Sequence, residues 1–277
     1  MLNILSLGAG VQSSVVALLA DKKKWGGVVP DAAIFADVQW EPPEVYEHLD
    51  WLEKQLSYPV YRVTIGDIRA NILAAAMCRT KEELRAATNA SSMPLFMEGA
   101  GMLLRQCTRN YKIDPVNRKT RELLGLKKGQ QAPRNKVLAR TWIGISIDEA
   151  TRMKDSPNKW KEHYYPLIDS KMSRDDCKEW FAGEYPGRNL PRSACVACPY
   201  RSNAEWRDMK ENAPHLFDDA VDFDNGLREH GDFSILKGMA YVHSSKKPLE
   251  DVDFAPKKAD EHQMNLFENE CEGMCGL

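Results

Sequence analysis

Four residues into the chain, Ile4, Leu5 and Leu7 lead directly into Gly8, Ala9 and Gly10, and an apolar stretch at helical spacing follows over residues 15–20. That order is a buried strand, a tight turn and a helix, which makes it the first strand–helix unit of a parallel sheet. Such a turn aims several backbone N–H groups at one point in front of a helix N-terminus, and so forms an anion site. Glycine lets the backbone approach a phosphate closely, and serine hydroxyls add donors. Ser6, Gly8, Ala9, Gly10, Gln12, Ser13 and Ser14 are therefore the candidate contacts to a nucleotide or similar phosphate ester.

A Walker loop needs a lysine before its Ser/Thr, and none stands here. The dinucleotide pattern Gly-x-Gly-x-x-Gly is met only in part, as Gly8-x-Gly10-x-x-Ser13. The loop by itself leaves a dinucleotide and other phosphate esters open.

The first third of the chain continues the alternation. Residues 32–36 read as a second strand closed by Asp37, residues 44–52 as a helix opened by Pro42 and Pro43, and residues 60–63 as a third strand. The prediction is an α/β fold with a parallel sheet and helices on both faces. Asp37 then stands at the carboxyl edge where ligands of such sheets bind, or serves as a turn residue or cap. Residues 81–101 lose periodicity and read as a mobile part of a basic insertion near 81–135. Residues 137–147 read as a further strand ending at Gly144. The divisions expected are a nucleotide-binding domain over 1–168, a helical region over 169–255, and a flexible tail over 256–277.

With 277 residues and 43% hydrophobic content, the chain is long enough for a substantial core. A net charge of −2 gives no global pull toward nucleic acid or membrane, and no apolar run approaches a bilayer span. A cytoplasmic protein is expected. Seven cysteines, an odd number, favour metal or redox chemistry over a disulfide framework. Cys195 and Cys198 form a Cys-x-x-Cys followed by Pro199, a spacing suited to one metal ion, two irons of a cluster, or a redox pair. Cys107 lies among Arg105, Arg109 and Lys112, which favour a thiolate.

Together these segments resemble the phosphoadenosine phosphosulfate (PAPS) reductase family of the adenine nucleotide alpha hydrolase superfamily. The loop at residues 8–13 is similar to that superfamily's Ser-Gly-Gly-x-Asp-Ser/Thr, with Gln12 in place of the aspartate. Residues 35–44 resemble its Phe-x-Asp-Thr-Gly-x-x-x-Pro-Glu segment, and residues 107–115 its Cys-x-x-x-x-Lys-x-x-Pro element. Residues 141–152 resemble Gly-x-Arg-x-x-Glu-Ser, and residues 165–169 its Pro-Leu segment.

The resemblance implies an adenine nucleotide alpha hydrolase-like, Rossmann-like fold that binds adenylyl sulfate (APS), PAPS or ATP. It also implies a 4Fe-4S cluster on Cys107, Cys195 and Cys198, with Gln106 standing where a fourth cysteine would be; zinc is the alternative. The chain ends in Glu270-Cys271 and Cys275-Gly276-Leu277, similar to the Glu-Cys-Gly-Ile/Leu-His tail of sulfonucleotide reductases, without the histidine. Cys275 or Cys271 would attack the sulfur and then be reduced by a thioredoxin-like partner. The alternative is an ATP-dependent sulfurtransferase acting on tRNA or DNA. Homo-oligomers are compatible with either.

Residues 105–140 carry eleven basic residues against Asp114 and Glu122. Such a run is a solvated face or a surface for nucleic-acid phosphates. Within it, Arg109, Lys112 and Arg140 fall inside or beside the family-like segments and are expected to meet phosphate or sulfate, with Gly144 beside the nucleotide.

Overall fold

The computed structural model describes residues 1–78, 80, 82–83, 93–133, 135–229 and 238–255. Five strands form one parallel sheet in the order β3-β2-β1-β6-β7: β1 (Leu2–Leu7), β2 (Ala32–Asp37), β3 (Val60–Thr64), β6 (Ala139–Trp142) and β7 (Lys161–Tyr164). The chain steps outward from β1 to β3 and returns on the other side of β1. The strand order therefore reverses between β1 and β6, the position where parallel sheets open a crevice.

The two-residue period of the strands sorts their side chains onto two faces. Leu5, Leu7, Ala33 and Phe35 pack with α1 (Val11–Asp21), α2 (Pro43–Gln55), Leu167 of the short α5 (Pro166–Asp169) and α6 (Arg174–Glu184). Ile4, Ala32, Ile34 and Ala36 face the other way and meet Val116 of α4 (Asp114–Leu123). Helices cover both faces, as expected for an α/β, Rossmann-like sheet.

A second core lies beyond the carboxyl edge. It joins α3 (Ile68–Met77), α7 (Asn203–Asn212) and α8 (Pro214–Glu229) to Met93, Leu95, Cys195 and Cys198. A small antiparallel sheet borders it, in the order β5 (Gly101–Met102), β4 (Phe96–Met97), β8 (Ala240–Tyr241). The buried Asp224 of α8 fixes this region by accepting from the amides of Val242 and Leu249, at 2.8 and 2.9 Å.

Three local features differ from the sequence reading. The strand expected over 137–147 is confined to Ala139–Trp142, because the segment leaves the sheet before Gly144 and turns into a 3-10 stretch, Ile147–Arg152. β7 was not expected; its pattern is polar because it is an edge strand. The chain also passes between the two cores more than once. α3 shares the second core with the C-terminal helices, and α6 packs on the sheet with α1.

Candidate functional site

The loop from Gly8 to Gly10 sits at the carboxyl end of β1, beside the point where the strand order reverses. Gly10 caps α1 and has no side chain to satisfy the first-turn amides, which lack intrahelical partners. Ala9 takes the left-handed turn, with φ of 56°, where the resembled loop has glycine. Ser13 stabilises the turn: its hydroxyl accepts from the Gly8 amide at 3.2 Å and faces the Gly10 carbonyl at 3.4 Å. Gly144 approaches from β6 so closely that a Cβ there would lie 2.8 Å from the Ser13 nitrogen. Gly144 therefore serves backbone packing under the loop.

Behind the loop, Gln12 is buried and engaged at both ends of its amide. Its nitrogen donates to Ser146 Oγ at 3.3 Å and Glu149 Oε2 at 3.2 Å, and its oxygen accepts from Arg174 at 3.5 Å. Arg152 pairs with Glu149 at 2.8 Å, and the Asp148 carboxylate accepts from the Arg174 amide at 2.9 Å. Gln12 and Ser146, the two positions that depart most in charge from the resembled motifs, are thus bonded to each other.

Ser14 is fully buried and its hydroxyl is 2.9 Å from His48 Nε2 of α2, inside the helical layer. This side chain serves packing between helices; the phosphate contact expected of it is not where the hydroxyl points. Burial, and then the Arg188 charge, lower the His48 pKa to about 4. Ser6 is buried in β1.

Asp37 ends β2 and is held in a turn. Its Oδ1 accepts from the Gln39 amide at 2.7 Å and the Tyr46 hydroxyl at 2.9 Å. Burial, followed by the Asp37 carboxylate, raises the Tyr46 pKa. The turn role anticipated for Asp37 is the one its hydrogen bonds describe, and it also lies at the ligand edge.

The second group is the thiols. Cys107, Cys195 and Cys198 line one cavity of about 20 Å³, together with Thr108, Lys112 and Tyr200. None of the described cysteines is in a disulfide. Cys107 immediately precedes a π-helical stretch, Thr108–Ile113, and Cys195 and Cys198 are joined by a tight turn in which the Cys198 amide donates to the Cys195 carbonyl at 3.1 Å. Arg201 clamps that turn by donating to the carbonyls of Val196 and Cys195, at 2.9 and 3.2 Å.

Three thiols are a donor set that suits zinc or iron. Among the described residues, no group of three or more Cys, His, Asp or Glu side chains has the spacing of a ready-made metal site. The cavity holds about one water-sized body, so a four-iron cluster would require its walls to part.

A buried carboxylate joins the two groups. Glu41 accepts from Ser193 Oγ at 2.6 Å and from Lys112 Nζ at 3.3 Å. Ser193 lies against Gly10 of the loop, 3.5 Å from where a Cβ there would sit. Lys112 lines the thiol cavity. The loop and the cavity therefore share a wall, reinforced where the Val196 amide donates to the Trp40 carbonyl at 3.0 Å.

Lys112 thus meets a carboxylate and the thiol cavity where a phosphate contact was expected. Arg109 is exposed and 4.0 Å from Asp114. Arg140 is level with Asn3 near the start of β1 and paired with Glu162 at 2.5 Å, about 17 Å of strand short of Gly8. Its expected nucleotide contact is not formed by this placement. Cys271 and Cys275 lie outside the described residues. Glu41, Ser193, Arg152 and Arg174 were missed as site residues. Glu41 and Arg152 lie inside the family-like segments 35–44 and 141–152, whereas nothing local distinguishes Ser193 and Arg174 from ordinary polar positions.

The site and sheet define an α/β protein with a five-stranded parallel, Rossmann-like sheet flanked by helices and a glycine-containing loop at its switch point. No protein-family model matches the chain, and no curated protein does. Among the described residues, no helix is long and apolar enough to cross a membrane.

Proposed function

We propose that this chain is an adenine-nucleotide-binding sulfur enzyme of the sulfonucleotide reductase type. The observation that carries the reading is the shared wall: Ser193 touches the loop at Gly10 and bonds Glu41, which holds Lys112 at the thiol cavity. The first-turn amides of α1 receive the nucleotide phosphate. The Gln12 amide, locked by Glu149 and Arg174, keeps the loop as a fixed cradle. Cys107, Cys195 and Cys198 would hold an iron–sulfur cluster or zinc, which supplies positive charge beside the sulfonate.

In the chemical step the thiolate of Cys275 or Cys271 attacks the sulfur of APS or PAPS. The S–O bond to the phosphate breaks, and its electron pair leaves with AMP or adenosine 3′,5′-bisphosphate. The resulting S-sulfocysteine is attacked by a thioredoxin-like dithiol; sulfite leaves and the partner ends as a disulfide.

A second reading, ATP-dependent thiolation of tRNA or DNA, is favoured by one observation. The Glu149 carboxylate stands 3.2 Å from the Gln12 amide, close to where the resembled loop carries its own acid. Sulfite release from APS and from PAPS in the presence of thioredoxin, beside pyrophosphate release from magnesium ATP with RNA or DNA, separates the two. Sulfite alone supports the reductase; pyrophosphate alone overturns it. Cys107→Ser, Cys195→Ser and Cys198→Ser should each lower bound iron or zinc, and unchanged metal content refutes the ligand set.

A further inference from the structure

The amino edge of the sheet, opposite the loop, carries a feature that the proposed chemistry does not use. A cleft of about 350 Å³ opens between the segments that lead into β6 and β7, lined by Gln131, Pro133, Pro157, Asn158, Lys159 and Trp160. Its floor is fixed to the sheet. The Leu138 amide donates to the Trp160 carbonyl at 2.7 Å, and the Leu2 amide to the Leu138 carbonyl at 2.8 Å. Arg121 closes one end, bonded to the Gln130 carbonyl, with its guanidinium 5.9 Å from the Trp160 ring. Six residues of β1 separate this level from Gly8, about 20 Å along the strand. The cleft is therefore distinct from the nucleotide loop.

The charge around it is lopsided. Residues 118–140, the basic belt that leads from α4 into β6, carry eight Lys and Arg against one acid, Glu122, in a chain whose net charge is −2. Glu122 is paired with Lys119, and Arg140 with Glu162. Lys127, Lys128 and Lys136 of the belt and Lys159 of the cleft wall are all exposed. A cleft with proline and tryptophan in its walls, rimmed by lysines, offers a face for a base and cations for the flanking phosphates.

We infer that this cleft binds single-stranded nucleic acid, with one base in the cleft and the adjoining phosphates on the lysines. Neutralising about four phosphates gives a log–log salt slope near −3 for a single strand. The site stands independently of the sulfur chemistry, because it requires neither the loop nor the thiols.

The test is fluorescence anisotropy of the full chain with fluorescein-labelled single-stranded RNA and DNA 20-mers, between 50 and 200 mM salt, on the order of the range where such contacts respond. The expected result is micromolar binding with that slope, weakened at least tenfold by Lys136→Glu with Lys159→Glu. A control pair outside the belt, Lys23→Glu with Lys24→Glu, should change it less than twofold. Lys127→Ala with Lys128→Ala is the milder pair, expected to weaken binding about threefold should the charge reversal impair folding. Absent binding at the lowest salt, or equal loss in belt and control pairs, overturns the inference. Equal competition by polyglutamate also overturns it, and reassigns the cleft to acidic peptides.

Discussion

The Gly8–Gly10 loop and the thiol cavity share a wall but are built in opposite ways. The loop is fixed by backbone geometry, by the Ser13 hydroxyl on the Gly8 amide, and by a separate polar network that runs from Gln12 to Glu149, Arg152 and Arg174. The cavity is held mainly by apolar packing, with Val38, Ile68, Met93 and the thiols on its walls and the Lys112–Glu41 pair at one side. A polar network specifies one shape and resists change. An apolar cavity lined by soft donors can part or close at smaller cost, because dispersion contacts are individually weak and non-directional. This contrast suits the function we propose, with a rigid cradle for phosphate beside a region that would take up a metal or a second thiol.

The largest effect is expected where the two regions join. Glu41→Ala removes the carboxylate from a buried Lys112 and Ser193, and should cost about 3–5 kcal/mol. Chemical denaturation measures the loss, and Glu41→Ala combined with Lys112→Met should recover part of it. A cost below about 1 kcal/mol would mean that the shared wall contributes little to stability.

Acid should act next, on the helical layer behind the loop. His48 has its pKa lowered to about 4, against about 6.5 in an unfolded chain. Between those values the unfolded state binds the proton and the folded state does not. Stability is therefore fully present above pH 6.5 and falls as pH drops toward 4, by up to about 3 kcal/mol. His48→Gln should flatten that slope in urea titrations across the same range, and an unchanged slope would assign the acid sensitivity elsewhere.

Gly144→Ala tests the rigidity of the loop. The new methyl would meet Ser13 backbone atoms at 2.8 and 2.9 Å, which cannot rotate away, and about 2 kcal/mol of overpacking is expected. Nucleotide affinity measured by calorimetry should fall with it, since the loop must shift. The smallest effect belongs to the thiol side. Asp67 caps α3 by accepting from the amides of Arg69 and Ala70, so Asp67→Ala should cost about 1 kcal/mol and leave nucleotide affinity unchanged. A parallel loss of affinity would show that the regions are coupled more tightly than their separate construction implies.

The loop was legible because its signal is local: an apolar strand, glycines and a helix appear in one short run, and the parallel sheet follows from the repetition of that unit. Cys107 was set beside Cys195 and Cys198 from residue type and resemblance, and all three line one cavity. The rest required the tertiary structure. Glu41 becomes buried only when the 193–198 segment folds over it, and Arg174 reaches Gln12 from 162 residues away. Arg140 shows the converse error. Its place among the family-like segments suggested a phosphate contact, but the short strand sets it toward the amino edge of the sheet, away from the loop. Ser14 misled for a related reason, since its position on α1 turns the hydroxyl into the helical layer, toward His48.

The central claim is that the loop and the cysteines serve one sulfonucleotide, and mass spectrometry tests it most directly. The full chain is incubated without oxygen with APS, and separately with PAPS, then analysed intact and as peptides. The account predicts a sulfonate on the peptide carrying Cys271 and Cys275, removed as sulfite by thioredoxin. No adduct from either nucleotide, with the chain folded and its thiols reduced, would contradict it.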